Sequence, residues 1–110
     1  MEKPLKGEVV VLVFPFTNLS GAKRRPALVL ANTRGDDIIL CPISSQVRED
    51  HYAIPLESTD FFKGSLRISS SIRPNVLFTA DKTLIEKSIG ALKKKKIDEV
   101  IEEICKILRK

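Results

Sequence analysis

Between residues 8 and 43 the chain is cut into short apolar runs, each ending at glycine, proline or a small polar residue. Glu8-Val-Val-Val-Leu-Val-Phe14 is rich in β-branched residues and is bounded by Gly7 and Pro15. A run of that composition reads as a buried strand, because branched side chains lose little freedom on a pleated surface. The segment from Phe16 to Arg25 holds Asn18, Ser20 and Gly21 and reads as a loop. Pro26 then opens a second apolar run over residues 27–31, and Asp37-Ile-Ile-Leu-Cys-Pro-Ile43 makes a third. A Gly-containing turn over residues 32–36 joins them as a hairpin. Residues 51–54 read as another short strand and residues 56–64 as a packed loop carrying two phenylalanines. Residues 66–70 and 71–78 are extended, with Pro74 at an edge or bulge. Short strands at this spacing predict a small barrel.

The periodicity changes after Phe78. Residues 81–89 are predicted to form a short helix stopped by Gly90. Residues 97–109 place Ile97, Val100, Ile101, Ile104, Ile107 and Leu108 at intervals of three and four, one stripe on a helix. Asp98 and Glu99 near its start and Lys106, Arg109 and Lys110 near its end match the helix dipole. The lysine run at 93–96 reads as a solvated approach to that helix. At 110 residues, the chain from 1 to 110 is expected to be a single domain.

No apolar stretch approaches the roughly 20 residues that a membrane helix needs, and no apolar segment follows the charged N-terminus, so the expected compartment is the cytoplasm. Cys41 and Cys105 lack C-x-x-C spacing, and both are read as reduced core residues. With one histidine, His51, and no His/Cys/carboxylate group at ligand spacing, neither a metal nor another cofactor is expected. The formal charge of +5 favours an anionic partner. Residues 1–80 carry ten Lys/Arg against eight Asp/Glu and residues 81–110 nine against six, so the excess is not a basic tail and local placement must decide.

Four pieces occur in order: Gly7-Glu8-Val9-Val10, Arg25-Pro26-Ala27-Leu28-Val29-Leu30, Pro42-Ile43-Ser44-Ser45-Gln46 and Thr79-Ala80-Asp81-Lys82, followed by the amphipathic helix. In this the chain resembles the MazF/PemK toxins of type II toxin–antitoxin systems over essentially its whole length. The resemblance implies a mainly β fold with appended helices, an SH3-like barrel of the MazF, Kid and CcdB kind ending in a C-terminal amphipathic helix. It also implies a homodimer that cleaves single-stranded mRNA as a metal-independent endoribonuclease and is antagonised by a cognate antitoxin. Arg25 matches the family's catalytic arginine before proline, and Ser44 stands where relatives carry a catalytic threonine or serine. Arg73 resembles a second functional arginine of the Kid branch. Three departures are visible: Asn75 where that branch has an aspartate, Phe78 in place of an arginine, and residues 18–23 in place of a Gly-x-Glu-Gln loop.

Metal-free cleavage asks the protein to stabilise a phosphorane carrying extra negative charge and to move protons. Arg25 suits the first task through its planar fork, and Ser44 can donate to the phosphate or the 2′-OH. Arginine is a poor base, so the proton acceptor is sought among Glu49, Asp50 and His51. The RNA-binding set comprises Lys23, Arg24, Phe16, Gln46, Arg73 and Asn75, with Phe14 and Tyr52 as further stacking candidates. Asn75 and Phe78 motivate a second reading, a non-catalytic relative that binds nucleic acid or an antitoxin. Poisoning of gyrase by protein contact, as CcdB does, is a third reading that the Arg25 and Ser44 matches disfavour.

Overall fold

The computed structural model describes residues 3–14, 23–45 and 51–110. Its strands are β1 (Glu8–Phe14), β2 (Lys23–Asn32), β3 (Asp37–Ser44), β4 (Ile54–Leu56), β5 (Phe61–Gly64), β6 (Ser70–Ile72), β7 (Phe78–Asp81) and β8 (Ile85–Leu92), followed by helix α1 (Lys94–Leu108). They pair antiparallel in the order β4-β6-β3-β2-β1-β8-β5, and β7 also pairs with β3. The sheet curls into a half-barrel that carries the single C-terminal helix, in accord with the expected mainly β fold.

Strand alternation explains why the central run is apolar on both faces. Val9, Leu28, Leu30, Cys41 and Ile43 point to one side, where Ile54, Leu56, Phe61, Ile72, Leu92 and the helical Val100 and Ile104 cover them. Val10, Leu12, Ala27, Val29, Ile38 and Leu40 form a second core with Ala80 and Ile85, flanked by half-buried Phe78 and Leu84. Since successive side chains of a strand leave by opposite faces, a continuous apolar run is what a sheet covered on both sides requires.

Several sequence expectations change. Residues 81–89 do not form a helix: a 3₁₀ turn at Lys82–Leu84 leads into β8, which runs through Gly90 to Leu92. Gly90 is a strand residue packed against another backbone rather than a helix stop. A β-carbon there would come within 2.6 Å of the Lys63 carbonyl oxygen. Its partner across the ladder is Gly64, at φ 76, where a β-carbon would strike Ile89 O and Gly90 Cα. Two facing glycines let β5 lie against β8 at this crossing. Residues 56–64 likewise hold a 3₁₀ turn and β5 instead of a loop, with Phe61 buried and Phe62 exposed.

The helix starts earlier than its apolar stripe. Lys94–Lys96 sit in its first turn, where an ion pair from Lys94 to Asp98 (2.9 Å) and pairs from Lys96 to Asp60 (3.4 Å) and Glu99 (3.0 Å) offset the unfavourable dipole. Lys96 also donates to Pro55 O at 3.2 Å, and its side chain is only 11% exposed, so it fastens the helix rather than standing solvated. Cys41 is core, its thiol pushed up to about 12 by burial, but Cys105 is exposed, against expectation. Leu108 is exposed too, because the stripe loses its cover in the last turn.

Candidate active site

Strand β2 changes its neighbours partway along. Residues from Ala27 to Asn32 pair with β3, Ala27 lying opposite Pro42. Lys23, Arg24, Arg25 and Pro26 pair only with β1, opposite Phe14, Val13, Leu12 and Val11. Beyond Pro42, β3 turns its last residues to β6, pairing Ile43 with Ile72 and Ser44 with Ser71. Pro26 and Pro42 therefore stand where β2 and β3 separate. Pro26 has no backbone N–H to carry the ladder further, and the Pro42 carbonyl turns away from β2 to accept from Arg73 N, so the sheet forks there.

A cleft of about 470 Å³ occupies the fork. Lys23, Arg24, Arg25 and Pro26 line one wall, and Ile43, Ser44 and Ser45 the other. The segment from Ser65 to Ile68, with Ser70, borders it, and Val11, Lys87 and Ile89 come from β1 and β8. Thus four of the residues singled out from sequence, Lys23, Arg24, Arg25 and Ser44, share one cavity.

Five cationic side chains line the cleft and, among the described residues, no carboxylate does. Among the described residues Arg24 alone of the five is ion-paired: its Nε donates to Glu86 Oε1 at 2.6 Å. That hydrogen bond, with the charge of Glu86, raises the Arg24 pKa, so the guanidinium is cationic at every working pH. Unpaired cations gathered in one concavity repel one another, and a polyanion relieves the repulsion. Ser44 and Ser70, half-buried, and Ser45 and Ser65, exposed, add hydroxyl groups without adding charge.

Other expected residues are placed elsewhere. Arg73 and Asn75 belong to a turn in which Val76 N donates to Arg73 O, and neither lines the cleft. The turn is nonetheless tied to the fork, because Arg73 N donates to Pro42 O at 2.9 Å. His51 is exposed and also outside the lining. Tyr52 accepts a hydrogen bond from Lys110 Nζ at 2.9 Å, and that ammonium lies 5.0 Å from the ring centroid. Phe16, Gln46, Glu49 and Asp50 lie outside the described residues, as does the side chain of Phe14. Arg67 and Lys87 are cleft residues that the sequence reading did not single out. Lys87 falls in the stretch read as helix, and only as strand does it come opposite Val11. Among the described residues no group of three His, Cys, Asp or Glu side chains lies together as a metal site.

A half-barrel with one C-terminal helix and a cationic, serine-bordered cleft describes a small β protein whose cleft has the charge to suit an anion. The family model of the PemK-like, MazF-like toxins of type II toxin–antitoxin systems matches residues 5–108, and the chain belongs to that family. Solved structures agree in fold. MazF from Deinococcus radiodurans (Form-I) superposes with TM-score 0.79 at 21% identity, covering all of both chains. A chain of the MazE–MazF complex from the same organism (Form-III) gives 0.78 at 23% identity over 97% of each chain. An endoribonuclease in complex with its cognate antitoxin, from a mycobacterial species, gives 0.73 at 15% identity, covering 96% of this chain and 94% of that one. No curated protein matches the sequence.

Proposed function

We propose that the chain is the toxin of a type II pair, an endoribonuclease that cuts single-stranded RNA without a metal ion and is restrained by a cognate antitoxin. The fork cleft is the observation that supports this most, since among the described residues it sets five cations and several serine hydroxyls around a cavity with no lining carboxylate. Family membership, and structural likeness to proteins described as endoribonucleases and as MazE–MazF complexes, support it further.

In the proposed reaction the ribose 2′-oxygen attacks the adjacent phosphorus and the bond to the 5′-oxygen breaks. One fragment ends in a 2′,3′-cyclic phosphate and the other in a 5′-hydroxyl. The proton lost by the 2′-OH is balanced by the one gained at the 5′-oxygen. Arg25 donates its fork to the non-bridging oxygens, where charge builds in the transition state. Ser44, across the fork, donates a single hydrogen bond to the same phosphate. Lys23, Arg24, Arg67 and Lys87 neutralise that phosphate and its neighbours. Since no histidine or carboxylate among the described residues lines the cleft, a phosphate oxygen of the substrate takes the 2′-OH proton in this scheme.

Cleavage of a fluorogenic RNA oligonucleotide tests the reading. Arg25→Ala should lower kcat by about 10² to 10³, as removal of one preorganised donor does, and Arg25→Lys should recover only part because the bidentate fork is lost. Excess EDTA should change nothing. Equal cleavage without Arg25, or cleavage only with added divalent metal, would refute the mechanism. Among the described residues no base lines the cleft, which favours one second reading, a member that binds RNA or antitoxin without cutting; tight binding with no cyclic-phosphate product would establish it. The homodimer is proposed from the family, and sedimentation at micromolar concentration showing only the 12.3 kDa monomer would refute it.

A further inference from the structure

Arg24 differs from the other cleft cations in being held. It stands on β2 opposite Val13 of β1, and Glu86 stands on β8, the strand on the other side of β1. The two side chains therefore meet across an intervening strand, with Nε donating to Glu86 Oε1 at 2.6 Å. This bond uses only one corner of the guanidinium. Among the described residues the Nη groups make no hydrogen bond, so the Nη1/Nη2 edge, which can donate two parallel bonds to a phosphate, stays uncommitted. The Arg24 side chain is 66% exposed, and without Glu86 nothing among the described residues would fix its rotamer. Glu86 itself is not among the residues lining the cleft.

We infer that Glu86 is a positioning residue: it holds Arg24 by Nε so that the guanidinium is a preset fork for an RNA phosphate in the cleft. This rests on the proposed RNA-binding role of the cleft. Its usefulness lies in entropy. An arginine free in solvent has many rotamers, and ordering one on binding costs affinity that a tethered arginine has already given up. The effect runs opposite to bare electrostatics. Glu86 is an anion beside an anionic ligand, so charge alone predicts that removing it tightens binding.

The experiment is a double-mutant cycle in the full chain with Arg24→Ala, Glu86→Ala and both together, alongside Glu86→Gln. Two readouts are taken: steady-state cleavage of a single-stranded RNA, and Kd for a non-cleavable 2′-O-methyl oligonucleotide of the same sequence. Glu86→Ala should weaken binding and kcat/KM by about three- to tenfold, the cost of ordering one long side chain. Glu86→Gln keeps an accepting oxygen on the same stem and should recover wild-type values within about twofold. In the Arg24→Ala background, removal of Glu86 should have no further effect, because both residues act as one unit.

The inference is overturned if Glu86→Ala and Glu86→Gln both bind as tightly as wild type or tighter, or if Glu86→Ala costs the same with and without Arg24. A wild-type chain that binds but does not cut overturns the ribonuclease reading alone, and the Kd cycle then decides the role of Glu86. A chain that neither binds nor cuts RNA overturns both.

Discussion

The salt dependence of RNA binding can be worked from the cleft itself. Among the described residues five cations line it, but Arg24 is neutralised in part by Glu86, so Lys23, Arg25, Arg67 and Lys87 are the four expected to release counterions most fully. Each phosphate neutralised on a single strand contributes about −0.7 to the slope of log affinity against log salt, so these four together give about −2.8. Between about 50 and 200 mM salt that slope means roughly a fiftyfold loss of affinity. Arg67→Gln with Lys87→Gln should halve the slope to about −1.4 and reduce the loss to roughly sevenfold over the same range. Both side chains are at the cleft surface, so the double variant should fold normally. The assay is fluorescence anisotropy of a labelled 2′-O-methyl oligonucleotide, titrated at several KCl concentrations so that cleavage does not interfere. A slope unchanged in the double variant would show that Arg67 and Lys87 do not meet phosphates. A flat response in wild type would dismiss the cleft as an electrostatic site.

Three further outcomes test the architecture. Leu28→Ala, at a fully buried position between β1 and β3, should lower unfolding stability by about 2–5 kcal/mol in urea titration, since it combines lost transfer energy with a cavity; a loss under about 1 kcal/mol would mean the core is looser than described. Gly64→Ala should destabilise the β5–β8 crossing by more than about 1 kcal/mol, because its positive φ and the approach of Ile89 O both oppose a β-carbon, and a neutral effect would refute that crossing. Cys41, with its thiol pushed up to about 12, should resist alkylation at pH 8 in the native state while exposed Cys105 reacts, as peptide mapping would show. The raised folded value means that Cys41 favours the folded state below the unfolded thiol value of about 8.5, and that this contribution declines as pH rises from there towards 12. Cys41→Val should flatten that alkaline decline in stability.

What could be read from the sequence and what could not divides along a physical line. β1, β2 and β3 were legible because their apolar runs are continuous, and only a strand buried on both faces needs that pattern. The helix was legible from its stripe, though not its first turn, where lysines contradict the dipole and tertiary pairs to Asp60 and Pro55 O hold them in place. β8 was missed because Ile85, Ile89 and Leu92 recur at helical intervals, and Gly90 between them looks like a stop. What makes the segment a strand is the two-sided pairing with β1 and β5, and the glycine is there because another backbone lies against it.

The same line runs through the site. Lys23, Arg24 and Arg25 are adjacent in sequence, and Ser44 was carried by resemblance, so their meeting across the fork needed only the second and third strands in the right places. Arg67 and Lys87 had no such signal, because a residue's access to a cleft depends on which strand forms which edge, and their edges rest on the small strands and on β8. The fork itself was written in two letters, Pro26 and Pro42. Each was read singly, one as opening a strand and the other as part of one. Placed opposite positions one apart in the β2–β3 ladder, the two mark where the sheet opens: Pro26 has no N–H to offer β3, Pro42 O accepts from Arg73 N on the far side of its strand, and the residues just beyond, one run basic and the other hydroxylic, are left facing a shared cavity. The cleft is thus a consequence of where the ladder stops, which a pattern within one strand does not carry and the pairing of two strands does.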